Sequence, residues 1–135
     1  MARRMVALPV LLTILLVGTG HAERKEIDLR DYDDELMRDL DRTIKFFEPD
    51  LTARNPEGAK EDAAVLEEGF RYTRAYFSKK ENTEDAVEIS ERGLKSVAAA
   101  LVALDEKDFD KASAAARDTA GTCRACHDIY KPLKK

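Results

Sequence analysis

Apolar residues along this chain recur at spacings of three and four, the period of amphipathic helices rather than of strands. Four helices are predicted. The first covers about Asp28 to Glu48, with Met37, Leu40, Ile44 and Phe47 on one face and Leu51 continuing the stripe. Pro49 is expected to stop or kink it, because proline lacks an N–H and its ring crowds the preceding turn. A polar stretch, Asp50 to Asp62, contains Asn55-Pro56 and Gly58 and reads as a loop turning into a helix. The second helix carries Ala63, Leu66, Phe70, Thr73 and Phe77. Lys79 to Thr83 forms a short polar link in which Asn82 or Thr83 caps the next start.

The third helix presents Ala86, Ser90, Leu94, Val97, Leu101 and Leu104 on one face. Asp105 to Asp108 is the next link, with Asp108 as its cap. In the fourth helix Phe109, Ala112, Ala116, Thr119, Cys123, Cys126, Tyr130 and Leu133 alternate spacings of three and four. A sustained seven-residue repeat is the pattern of left-handed bundle packing. The links between helices two, three and four are short, and short links place consecutive helices side by side in opposite directions. The fold class expected is all-α, an up-down-up-down antiparallel four-helix bundle.

Both cysteines of the chain lie in Cys123-Arg124-Ala125-Cys126-His127. A C-x-x-C-H run reads as the covalent attachment site of one c-type haem. Two thiols add across the two vinyl groups of a porphyrin, and the following imidazole supplies a nitrogen to the iron. On a helix, positions i, i+3 and i+4 fall within roughly 100° of arc, so the three side chains reach one haem edge. A disulfide between i and i+3 would be strained and would leave His127 unexplained. A thioredoxin-like pair needs a strand–helix alternation that the pattern lacks. A zinc site needs a second pair of ligands. Both cysteines occupy core-facing positions of the repeat, so the bundle encloses the haem. Gly121 costs helix stability of about 1 kcal/mol relative to Ala, and reads either as a helix irregularity or as room for the porphyrin.

The ends and the charge place the domain. Arg3 and Arg4, the apolar run Met5 to Val17 and the small residues Gly20-His21-Ala22 read as a secretory signal, residues 1–22, cut after Ala22. That run is short and broken by Pro9, so a membrane span is not expected. The remainder, residues 23–135, is 113 residues (135 less 22), one four-helix-bundle haem domain exported in soluble form. Losing Arg3 and Arg4 takes the net charge from −4 to −6. No basic stripe suggests nucleic acid, and Asp31, Asp33, Asp34, Glu35, Asp39 and Asp41 would repel it. The simpler role of that acidic run is a solvated helix start, where carboxylates suit the positive end of the dipole. The chain has no Trp, so a buried haem supplies apolar surface otherwise missing, and the apoprotein should be loose.

In this layout the C-terminal Cys123-Arg124-Ala125-Cys126-His127-Asp128-Ile129-Tyr130-Lys131 resembles the cytochrome c-prime family, the class II c-type cytochromes. Their attachment motif lies near the C-terminus, whereas class I cytochromes carry it near the N-terminus. The resemblance implies a periplasmic bundle with His127 as proximal iron ligand. The family has two kinds of iron site. Five-coordinate members leave the distal face open and bind small gases, and six-coordinate members place a methionine of the first helix on the iron and carry electrons. With residues 1–22 removed, the chain keeps one histidine, His127, and one methionine, Met37. Met37 stands in the first helix where the family's distal residue is found, so the chain is similar to the low-spin, methionine-ligated members. The competing role for Met37 is core filler, with Leu36 or Leu40 covering an open distal face. Five-coordinate relatives tend to carry an Arg-Gln pair one turn earlier, where this chain has Tyr32-Asp33.

The function expected is a periplasmic monohaem c-type cytochrome carrying single electrons, its iron held by His127 and Met37. The alternative is a five-coordinate cytochrome c-prime binding nitric oxide or carbon monoxide. Arg124 contacts a haem propionate or stays in solvent, and Arg38 and Arg42 either reach a propionate or form surface pairs. Tyr130 reads as core packing. The residues supply no Ser/His/Asp set, phosphate-binding loop or paired carboxylates, so no enzyme activity is expected. The partners expected are transient redox proteins, the chain itself being a monomer or homodimer.

Overall fold

A computed structural model of the chain describes residues 23–130. The proposed signal, residues 1–22, and residues 131–135, with Lys131 and Leu133, lie outside the described residues. Those described form four helices and no strand: α1 (Asp34–Thr52), α2 (Pro56–Phe77), α3 (Glu84–Asp105) and α4 (Phe109–Tyr130). Each packs on its neighbours in sequence, and α1 also packs on α4, which closes the ring. Contacts between neighbours run in opposed order. Along α3 and α4, Ser96 meets Thr119 and Asp85 meets Tyr130. Along α1 and α4, Glu48 meets Arg117 and Thr52 meets Ser113.

α1 begins six residues later than the spacing predicts. Asp33 is the cap, its carboxylate accepting from the amides of Glu35 at 3.0 Å and Leu36 at 2.9 Å. Asp28, expected to open the helix, instead accepts from the backbone and guanidinium of Arg30, which holds the segment in a local turn. At its other end α1 runs through Pro49 to Thr52. Pro49 lies in the last turn, where it forfeits its own donor while its carbonyl still accepts from Ala53 at 2.8 Å.

α2 starts at Pro56 rather than beyond Asp62. Asn55 is the cap, accepting from Gly58 N at 3.2 Å, and Pro56 occupies the first turn, where its missing donor costs nothing. Thr83 stands at the N-cap of α3 with its hydroxyl turned the other way, donating to Phe77 O at 2.7 Å. Asp108 caps α4 as expected, accepting from Lys111 N at 3.0 Å.

The packed core falls into two clusters. One joins Phe47, Leu51, Leu66, Val97 and Leu104 with alanines of α2, α3 and α4. Burying each large side chain contributes roughly 1.5–3 kcal/mol. The other joins Phe77, Ala86 and Tyr130 with Ile27, Leu29, Tyr32 and Cys126 at the end where α4 finishes. On α3 Ala86, Ser90, Val97 and Leu104 of the predicted stripe are buried, joined by Ile89, Gly93, Ala100 and Ala103, while Leu94 and Leu101 are half-buried. The shift follows from close helix approach. A Cβ on Gly93 would strike the Phe70 ring, and one on Gly69 would strike Leu40.

Candidate functional site

Between the two core clusters the packing is interrupted, and the Cys123–His127 motif faces the gap. A narrow pocket of about 60 Å³ and a wider cleft of about 310 Å³ share Met37, Asp41, Thr73, Cys126 and His127 in their walls. The α4 wall is Thr122, Cys123, Cys126 and His127, and α1 supplies Met37, Leu40, Asp41 and Ile44. Leu66 and Phe70 of α2 and Ile89 of α3 complete an apolar lining. Leu29, Tyr32, Phe77 and Tyr130 close the cleft side. The helical spacing of three and four places both thiols and the imidazole on one wall, as the motif requires. Met37 belongs to α1, which packs on α4.

Cys123 and Cys126 are half-buried free thiols. Desolvation pushes the Cys126 thiol up to about 11 and raises Cys123 as well. A redox or zinc-binding pair needs the opposite shift, toward thiolate. Among the described residues no three or more His, Cys, Asp or Glu side chains gather as a metal-ion cluster. An iron held in a porphyrin asks the protein only for axial ligands. His127 and Met37 are of that kind, and two protonated thiols beside His127 suit thioether formation. The residues present therefore fit a covalently held haem.

The segment before α1 forms one side of the cleft. Lys25 N bonds Ile129 O at 3.0 Å, and the Lys25 ammonium pairs with Asp85 at 2.9 Å. Lys80 donates to Asp28 O at 3.0 Å, and Tyr76 donates to Asp31 at 2.5 Å. Tyr32 packs edge-on against Tyr72 and Tyr76, with ring centres 5.3 and 4.9 Å away. Phe77 lies 4.8 Å from Tyr130, whose hydroxyl reaches Asp85. All four tyrosines of the chain thus gather beside the motif. Burial pushes Tyr32 and Tyr130 up to about 12, so both stay neutral donors. Sequence reasoning placed Tyr32 in a helix and missed this cluster; the i, i+4 pair Tyr72/Tyr76 was its one local signal.

Of the remaining predicted residues, Arg124 and Arg42 fall outside the gap, while Arg38 and Tyr130 line the cleft. Arg124 is exposed and, with Gly121, lines the outer groove between α3 and α4. Gly121 makes no room in the pocket, since a Cβ there would meet only Arg124, at 3.8 Å. Arg38 lines the cleft beside Asp34 and Asp41, and Arg42 pairs with Asp39 on the surface. Tyr130 is buried, as core packing requires. Among the described residues no helix is long and apolar enough to cross a membrane. Compared with protein-family models, with curated proteins and with solved structures, the chain matches none.

Proposed function

We propose that this chain is a monohaem c-type cytochrome that carries single electrons in the periplasm, with an up-down-up-down helix order around its haem. One observation carries the reading: Cys123, Cys126 and His127 share the α4 wall of an apolar gap in the core, and Met37 stands in the α1 wall. The opposed order of the inter-helix contacts supports the topology. When bound, the haem supplies a one-electron ferric/ferrous couple. Cys123 and Cys126 would tether it, and His127 and Met37 would supply ligands to its iron. A thioether ligand favours the ferrous state relative to a second imidazole. Leu40, Ile44, Leu66, Phe70 and Ile89 exclude water, and a rigid lining keeps reorganisation small. Tyr32 and Leu29 cover the cleft side.

Expression in a host with c-type haem maturation tests the attachment. Haem should remain with the chain after denaturation and acid–acetone extraction, and the Cys123→Ser/Cys126→Ser pair should release it. A chain recovered colourless with a normal helical spectrum would refute the reading. The second reading, a five-coordinate gas binder, draws on Leu40, which lines the same pocket and is pinned against Gly69. There Leu40 would cover an open distal face and Met37 would be filler.

A further inference from the structure

The outer groove between α3 and α4 lies directly behind the motif. It is a shallow cleft of about 710 Å³, with Arg92 and Lys95 on the α3 rim and Arg124 and Arg117 on the α4 rim. On the rest of the surface some cations pair with carboxylates, as in Lys45–Asp41, Arg71–Glu67 and Lys111–Glu106, while Arg38, Arg74, Lys79 and Lys107 form no ion pair among the described residues. Arg117 is matched too, 2.6 Å from Glu48. Arg92, Lys95 and Arg124 take part in no hydrogen bond or ion pair among the described residues. Asp118 is the single carboxylate in the groove wall. The groove wall thus sets four cations against one carboxylate in a chain of net charge −4.

Two further features give that place a purpose. Thr122 lines both this groove and the pocket that holds Cys123, so one side chain separates the two. Gly121 leaves the groove floor bare, and a Cβ there would have open space apart from Arg124. A partner's side chain can therefore approach the α4 backbone beside the motif.

We infer that this groove is where an acidic face of a partner redox protein docks, an inference that rests on the electron-carrier reading above. In a chain of net negative charge the groove attracts such a partner through Arg92, Lys95 and Arg124. The three charges are spread along two helices rather than converging on one point. That spacing matches several carboxylates on a protein surface better than one small anion. Docking there would leave the Thr122 partition between the partner and the pocket that Cys123 lines.

Isotope-labelled holoprotein titrated with a hexaglutamate peptide tests the surface by its amide shifts. Shifts should cluster at Arg92, Lys95, Gly121 and Arg124, and fade as salt rises to about 0.15 M. The triple variant Arg92→Gln/Lys95→Gln/Arg124→Gln breaks no ion pair and should abolish them. Shifts centred on Arg38 and Arg42, or unchanged in the variant, would overturn the inference. So would polyuridylate shifting the same residues at lower concentration than the peptide, since the groove would then serve nucleic acid. For the redox role, ferrous protein should be oxidised by hexacyanoferrate(III) roughly tenfold more slowly in the variant, with a flatter salt dependence. An unchanged rate there also overturns it. The titration reads surface charge and the haem-retention test reads attachment, so a failed cytochrome reading shows itself separately, as a colourless chain.

Discussion

The Tyr32 hydroxyl lies 2.7 Å from Thr73 Oγ1, tying the segment before α1 to α2 at the wall of the cleft that His127 and Cys126 line. Thr73 spends its own hydrogen on Gly69 O at 2.8 Å, so Tyr32 is the donor. Two residues 41 apart in sequence are joined by one hydroxyl pair, and the cleft takes its shape from that joint.

Replacing Tyr32 by Phe removes the donor and leaves Thr73 bonded to Gly69. The expected loss is about 1 kcal/mol in urea unfolding of the holoprotein. Thr73→Val strands the half-buried Tyr32 hydroxyl and should cost more, about 1–3 kcal/mol. The double variant should cost less than the two losses added, and strict additivity would show that the pair is not coupled.

Gly69 and Gly121 should respond in opposite directions to the same substitution. Gly69→Ala drives a methyl into Leu40 and is expected to cost about 1–3 kcal/mol despite the better helix former. Leu40→Ala in the same chain should recover part of that loss. Gly121→Ala meets open space and should stabilise the protein by up to about 1 kcal/mol, with haem uptake unchanged. Thermal unfolding of the three variants checks both signs.

Asp62 carries the expected pH dependence. Its Oδ2 is buried without a hydrogen-bond partner, and desolvation, with Asp50 close by, pushes its carboxyl up to about 6. The folded state therefore binds this proton more tightly than the unfolded chain does. The stability linked to that proton is fully present below the ordinary carboxylate value and is lost as pH rises through about 6. Asp62→Asn should accordingly raise the urea midpoint at about pH 7.5, and the gain should shrink toward about pH 4. A gain independent of pH would assign the effect to packing instead.

Much of the fold was legible because its signals are local. The α4 repeat, the Asp108 cap and the i, i+3, i+4 motif each lie within one helix, and the residues they name reach the expected wall. Met37 was legible as a core-stripe residue and lines the gap. The start of α1 was misread because Asp28 and Asp33 both suit a helix N-terminus, and only the Arg30 contact makes Asp28 a turn residue. Asn55-Pro56 carried a cap-and-first-turn signal that was weighed as a loop. Most of the buried face of α3 was legible too, but not the exchange of Leu94 and Leu101 for Gly93 and Ala100, because the fit of Phe70 against Gly93 sets how α3 lies. The tyrosine cluster joins residues from before α1, α2 and α4, and no spacing within one helix announces it.

The visible spectrum of the ferrous holoprotein, recorded with and without carbon monoxide and repeated on Met37→Ala, tests the central claim. Ligation by His127 and Met37 predicts a sharp, split low-spin spectrum that ignores the gas, and a high-spin, gas-binding spectrum once Met37 is replaced. A wild-type spectrum that is already broad and shifts on adding carbon monoxide would contradict the claim. So would a low-spin spectrum that survives the loss of Met37.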